Sequence, residues 1–167
     1  MEVRSIVAIA QALADADVKY IVVGGIAVNA HGYERFTNDI DLVIGLGSEN
    51  IQRALHALLE ISYHPVIPVT PEDFANAENR RRWHEDKAML VLKLWSDEHR
   101  RTPIDIFIQE PFDFSVELEK VQWISISDEL KIPILDYETL IRMKQDAGRE
   151  KDLLDVSALR KLDPYRK

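Results

Sequence analysis

The 167-residue chain carries a net charge of −8, contains no cysteine, and has the length of one compact domain able to bury its own core. Disulfides and thiolate metal sites are excluded, and no apolar run approaches the roughly 18 residues of a membrane span. The charge is uneven: residues 79–101 hold seven Lys/Arg against four Asp/Glu, and residues 142–167 hold eight against five. Two locally basic stretches in an acidic protein suit either an anionic substrate in a cleft or ordinary solvated helix faces. The N-terminus lacks the apolar core of a signal peptide, which favours the cytosol.

Val3, Ile6, Val7, Ala10 and Leu13 recur at helical spacing and predict an amphipathic helix over 2–16. Tyr20–Val23 is a continuous apolar run ending in Gly24-Gly25, a buried strand entering a tight turn. A short helix over 26–31, closed by Gly32, and a second strand over 39–44 follow. Ser48 is expected to cap a helix carrying Ile51, Leu55, Leu58 and Leu59. Residues 61–71, with three prolines, read as a connection, and 72–86 as polar, weakly helical chain with a mobile Arg80-Arg81-Arg82-Trp83 run. Strands are expected over 88–95, 103–108 and 121–126, and helices near 136–147 and 149–162. No repeat or domain linker interrupts the chain, so one domain over 1–167 is expected, with a core to about residue 127 and a C-terminal helical element over about 134–163.

The chemistry-bearing residues sit in the strands. Asp39 and Asp41 are two apart, so on a strand they point the same way. Two such carboxylates repel and lose hydration unless a cation joins them, and hard oxygen ligands suit Mg²⁺, with Mn²⁺ as a substitute. Asp105 is a lone carboxylate in the apolar run Ile104–Ile108, on the face opposite Ile104, Ile106 and Ile108. If the strands over 39–44 and 103–108 are neighbours, three carboxylates converge on a site able to hold two metals. Gly24-Gly25 lets backbone N–H groups approach a phosphate closely, or makes a plain turn. Arg35 offers a planar fork to phosphate just before the carboxylates, with Thr37 beside it. Lys144 falls on the same helical face as Tyr137, Leu140 and Ile141, so it must snorkel or meet an anion. The five histidines lack metal-ligand spacing, which argues against zinc; His31 reads as a helix-end residue, and Trp83, Trp95 and Trp123 as packing residues. Ser-His-Asp order, P-loop and dinucleotide-binding glycine patterns are absent.

A strand ending in Gly-Gly, thirteen residues, then Asp-Ile-Asp-Leu resembles the signature of the DNA polymerase β-like nucleotidyltransferase superfamily, over residues 18–45 and again at 103–108. The resemblance implies an α/β (α+β) fold with a small mixed sheet flanked by helices, Mg²⁺, and transfer of a nucleoside monophosphate from an NTP. It implies that Gly24 and Gly25 hold the triphosphate and that Asp39, Asp41 and Asp105 are the metal-binding catalytic carboxylates. The first motif often has Gly-Ser where this chain has Gly-Gly; Gly-Gly is usual in the small antibiotic nucleotidyltransferases and in the abortive-infection type toxins. The tail, an apolar strand at Ile132–Leu135, a helix ending in Lys144, then Gly148-Arg149 and Lys151-Asp152-Leu153, resembles the toxin-like branch, whose full members carry a larger C-terminal region. In that branch the lysine matching Lys144 would reach the nucleotide phosphates, with Arg149 beside it; a solvated helix–turn–helix capped by Gly148 is the other reading. Asp152 pairs with a basic neighbour or orients the site. The acceptor implied is tRNA, a protein or a small molecule. A second enzyme reading, modification of a lincosamide or aminoglycoside, would build an acceptor pocket from residues 61–86. A third is a non-catalytic antitoxin or scaffold, against which the retention of three costly carboxylates speaks.

Overall fold

Alternation along the strands and helical spacing between them decide which side chains meet. The computed structural model describes residues 1–162. Helix α1 (Val3–Asp15) turns Ile9, Ala10 and Leu13 inward. Strand β1 (Tyr20–Val22) runs into α2 (Gly24–Ala30), then β2 (Ile40–Ile44) and α3 (Ser48–Glu60). Next come β3 (His64–Pro65), α4 (Pro71–Ala75), α5 (Ala77–Lys87), β4 (Val91–Trp95) and β5 (Ile104–Phe107). The chain continues through α6 (Phe114–Leu118), β6 (Gln122–Ser125) and β7 (Lys131–Ile134), and ends in α7 (Tyr137–Ala147) and α8 (Glu150–Leu162).

The strands form one mixed seven-stranded sheet in the order β3-β4-β5-β2-β1-β7-β6. β1 pairs antiparallel with β2 and parallel with β7, while β2 and β5 are parallel. Ile40, Leu42, Leu92, Leu94, Ile104 and Ile106 are each at most 2% exposed. Burying side chains of this size stabilises by about 1.5–3 kcal/mol each. With one sheet face sealed this way, the intervening positions Asp41, Lys93 and Asp105 are confined to the other face.

Several local expectations change. Strand β2 begins at Ile40, leaving Asp39 just ahead of it, and α2 begins at Gly24 rather than at residue 26. Ser48 is the first residue of α3, and Gly47 occupies the cap position with no side chain to offer. Within 61–71, His64 and Pro65 pair with β4 as an edge strand. Residues 72–86 are firmly helical because Thr70 and Asp73 form a reciprocal capping box and the Asn76 side chain caps α5. The basic run is anchored, since buried Arg80 donates to the Phe74 carbonyl and lies 5.7 Å from that ring. Trp83 stacks on the same ring at 6.4 Å. Gly148 (φ +63°) closes α7 in the left-handed region that glycine adopts freely. The end of the expected 134–163 element, residue 163, lies outside the described residues. No described helix is long and apolar enough to cross a membrane.

Candidate active site

The sheet register brings the carboxylates together. Asp41 and Asp105 are directly paired positions of the parallel strands β2 and β5, and both face away from the isoleucine side of the sheet. Asp39 precedes β2 by one residue, and one carboxylate oxygen from each of Asp39, Asp41 and Asp105 lies within 4.8 Å of the others. Thr37, itself buried, reaches Asp39 with its hydroxyl donating at 3.5 Å.

The electrostatics follow from this crowding. Burial, then the neighbouring Asp39 and Asp105 charges, push the Asp41 carboxyl up from 3.8 to about 6. Lys144 and a hydrogen bond from the Gly25 N–H oppose the rise. Burial also raises Asp105, against the pull of Lys93. Lys93 is the register partner of Asp105 on β4, so Asp41, Asp105 and Lys93 form a row across three neighbouring strands. Its Nζ stands 3.2 Å from Asp105 Oδ1. That buried oxygen nevertheless accepts no well-directed hydrogen bond, so the pair is a charge contact rather than a directed bond. Three crowded carboxylates, two with their proton affinity raised and one of those with a buried oxygen met only by the Lys93 charge, are the donor set that a hard divalent cation fits.

The glycines make this packing possible. Gly24 has φ +63°, and a Cβ there would stand 1.8 Å from Asp41 Oδ2. A Cβ on Gly25 would stand 2.3 Å from Thr37 Oγ1, so this glycine lets α2 close onto the loop that carries Arg35 and Thr37. Gly24→Ala should therefore displace the Asp41 carboxylate and also incur the left-handed strain of about 1–2 kcal/mol. The expected result is at least a ten-fold loss of Mn²⁺ affinity by calorimetry with a lowered melting temperature; unchanged metal affinity would contradict it.

Arg35 and Lys144 meet at Asp155, and Lys144 and Arg149 at Asp152, two carboxylates that sequence reasoning did not rank as central. Arg35 forks onto Asp155 through Nε (2.6 Å) and Nη2 (2.9 Å). Lys144, 6% exposed, places Nζ 2.8 Å from Asp155 Oδ2 and 2.9 Å from Asp152 Oδ1. Arg149 contacts Asp152 at 2.6 Å, with its side chain 78% exposed. Asn29 clamps the loop by accepting from the Arg35 N–H and donating to the Arg35 carbonyl. The anion that the apolar face of α7 demanded for Lys144 is thus supplied by α8, and Arg35, Lys144 and Arg149 sit in one network at the flank of the carboxylates. Asp152 and Asp155 share a face with buried Val156 and Leu159, a spacing visible in the sequence. Lys93 could have been found from its alternation with Leu92 and Leu94. His31 is a helix-end residue as expected, within 2.8 Å of the Leu135 carbonyl and edge-on to Tyr137.

Solved structures share this architecture. A candidate nucleotidyltransferase, TM1012, from Thermotoga maritima aligns over 98% of this chain and 92% of its own, at TM-score 0.57 and 17% identity. An antigenic nucleotidyltransferase-like protein from Paracoccidioides brasiliensis aligns over 96% and 76%, at 0.56 and 18%. The lincosamide antibiotic adenylyltransferase LnuA, solved with lincomycin bound, aligns over 94% and 95%, at 0.55 and 16%. At such identities the likeness is one of fold. No curated protein matches the sequence. The family model described as the nucleotidyl transferase AbiEii toxin of type IV toxin–antitoxin systems matches residues 8–166, nearly the whole chain, and the chain therefore belongs to that family of nucleotidyltransferases.

Proposed function

We propose that the chain transfers a nucleoside monophosphate from ATP or another NTP to an acceptor hydroxyl, in the cytosol, as the toxin of a toxin–antitoxin or phage-defence pair. The observation that carries this is the carboxylate triad closed over by Gly24. In this reading Asp39, Asp41 and Asp105 hold Mg²⁺ or Mn²⁺, which when bound would neutralise the triphosphate and polarise the α-phosphate. Gly24 and Gly25 leave the phosphates room beside Asp41. Arg35, Lys144 and Arg149 supply positive charge along that flank, and Thr37 orients Asp39. The acceptor oxygen bonds to the α-phosphorus, the α–β anhydride bond breaks, pyrophosphate leaves with the electron pair, and a site carboxylate takes the hydroxyl proton.

The test incubates the protein with α-³²P-labelled NTPs and a mixture of total RNA, cell protein and hydroxyl-bearing antibiotics, with and without Mg²⁺. Label should enter one of these fractions, only with the cation, and fall at least a hundred-fold with Asp39→Asn. Label entering the antibiotic fraction would favour a resistance enzyme, the reading that the fold likeness to LnuA supports. Metal-independent nucleotide binding without any transfer would favour a non-catalytic module.

A further inference from the structure

Lys93 stands beside the triad without a part in the transfer step above. It alternates with buried Leu92 and Leu94 on β4, so it shares the sheet face of Asp105, its register partner on β5. Directly paired positions of antiparallel strands stand about 4.5–5.5 Å apart. A lysine there reaches the carboxylate, and its Nζ lies 3.2 Å from Asp105 Oδ1. Among the described residues, no other cation forms an ion pair with Asp39, Asp41 or Asp105. Lys144, Arg35 and Arg149 lie on the flank, but each is already matched to Asp152 or Asp155.

The charges decide how many ions such a site attracts. Three carboxylates beside one ammonium leave two negative charges, which a single divalent ion cancels. A second divalent ion would then meet no net attraction. Without the ammonium, one negative charge would remain after the first ion, and a second would still be drawn in. The Lys93 contact can also yield. Its side chain is 45% exposed against 13% for Asp105, and the bond to Oδ1 is not well directed. The ammonium therefore has water to move into, while the carboxylate stays in place. A polyanion entering the site brings fresh negative charge, and that restores the attraction for a second ion.

We propose that Lys93 is a built-in counter-ion of the triad: by neutralising Asp105 it holds the free protein to one divalent cation, and the second enters only together with a nucleotide. This rests on the transferase reading above and adds the order in which its site fills. Lys93 acts through Asp105 and is a positioning residue.

The experiment counts Mn²⁺ bound by the full chain, from the electron paramagnetic resonance signal of the free ion, for wild type, Lys93→Met and Lys93→Arg. Wild type should bind one Mn²⁺ tightly, and two once α,β-methylene-ATP is bound. Lys93→Met should bind two without nucleotide, the second at least about ten-fold more tightly than in wild type. Lys93→Arg keeps the charge and should return the count to one. Lys93 is half-exposed and methionine is of similar length, so the melting temperature in EDTA should stay within about 3 °C of wild type. Should Lys93→Met melt lower than that, Lys93→Gln repeats the count. Two ions on nucleotide-free wild type, one on wild type with nucleotide bound, or two on Lys93→Arg would each overturn the proposal. If no protein binds Mn²⁺, the metal-dependent transferase reading fails; if all three bind one ion with equal affinity, only the role of Lys93 fails.

Discussion

Lys144→Met should destabilise the protein by about 3–5 kcal/mol, the cost of leaving buried carboxylates without their cation. Lys144 bridges Asp152 and Asp155, which are 2% and 1% exposed. The methionine keeps the apolar stem on the buried helix face shared with Leu140 and Ile141, so the loss is one of charge. At roughly 3 °C per kcal/mol for a chain of this size, the melting temperature should fall by about 10–15 °C. Arg149→Met touches the same Asp152 from an exposed position and should cost less than about 1 kcal/mol. Adding Asp152→Asn to Lys144→Met should recover part of the loss by removing one stranded carboxylate. Urea denaturation of the three variants checks the ordering. A loss below about 1 kcal/mol for Lys144→Met would mean that Arg35 and Arg149 alone satisfy both carboxylates.

That network also shows where sequence reading stops. The carboxylate triad was legible because a strand has a period of two: Asp39 and Asp41 had to share a face, and Asp105 had to oppose three isoleucines. What the pattern left conditional was which strands are neighbours, and the parallel pairing of β2 with β5 supplies that. Gly24 was legible as a tight turn, but its contact with Asp41 depends on the register between β1 and β2. Asp152 and Asp155 were harder, because charged residues at helical spacing ordinarily face water and only their partners on α7 and the Arg35 loop make them core residues. Arg80 failed for a related reason. In a run of three arginines nothing distinguishes the one whose guanidinium will find a buried carbonyl, and that carbonyl belongs to the preceding helix. The start of α3 moved by one residue because Gly47 takes the cap position without a capping side chain, and α2 starts two residues early, at Gly24, with Val23 in its cap position.

Asp41→Asn should abolish transfer and at the same time stabilise the metal-free protein. The folded Asp41 carboxyl titrates at about 6, against an ordinary value of 3.8, so the folded state holds this proton more tightly than the unfolded chain. Stability from this group is therefore greatest below pH 3.8 and is lost as pH rises through 6. The rise in proton affinity corresponds to about 3 kcal/mol of destabilisation at neutral pH. Without metal, D41N should exceed wild type by about 1–3 kcal/mol at about pH 7.5, and the gap should close by about pH 4. Saturating Mg²⁺ should close or reverse the gap, since a cation at one hundred times its Kd adds about 2.7 kcal/mol to the protein that binds it. Wild type should gain that stabilisation and D41N should not. Thermal melts at both pH values, with EDTA or with Mg²⁺, give all four comparisons. A variant less stable than wild type in EDTA at the higher pH would show that Asp41 is held by contacts worth more than its repulsion from Asp39 and Asp105. Equal Mg²⁺ stabilisation of both proteins would remove Asp41 from the metal site.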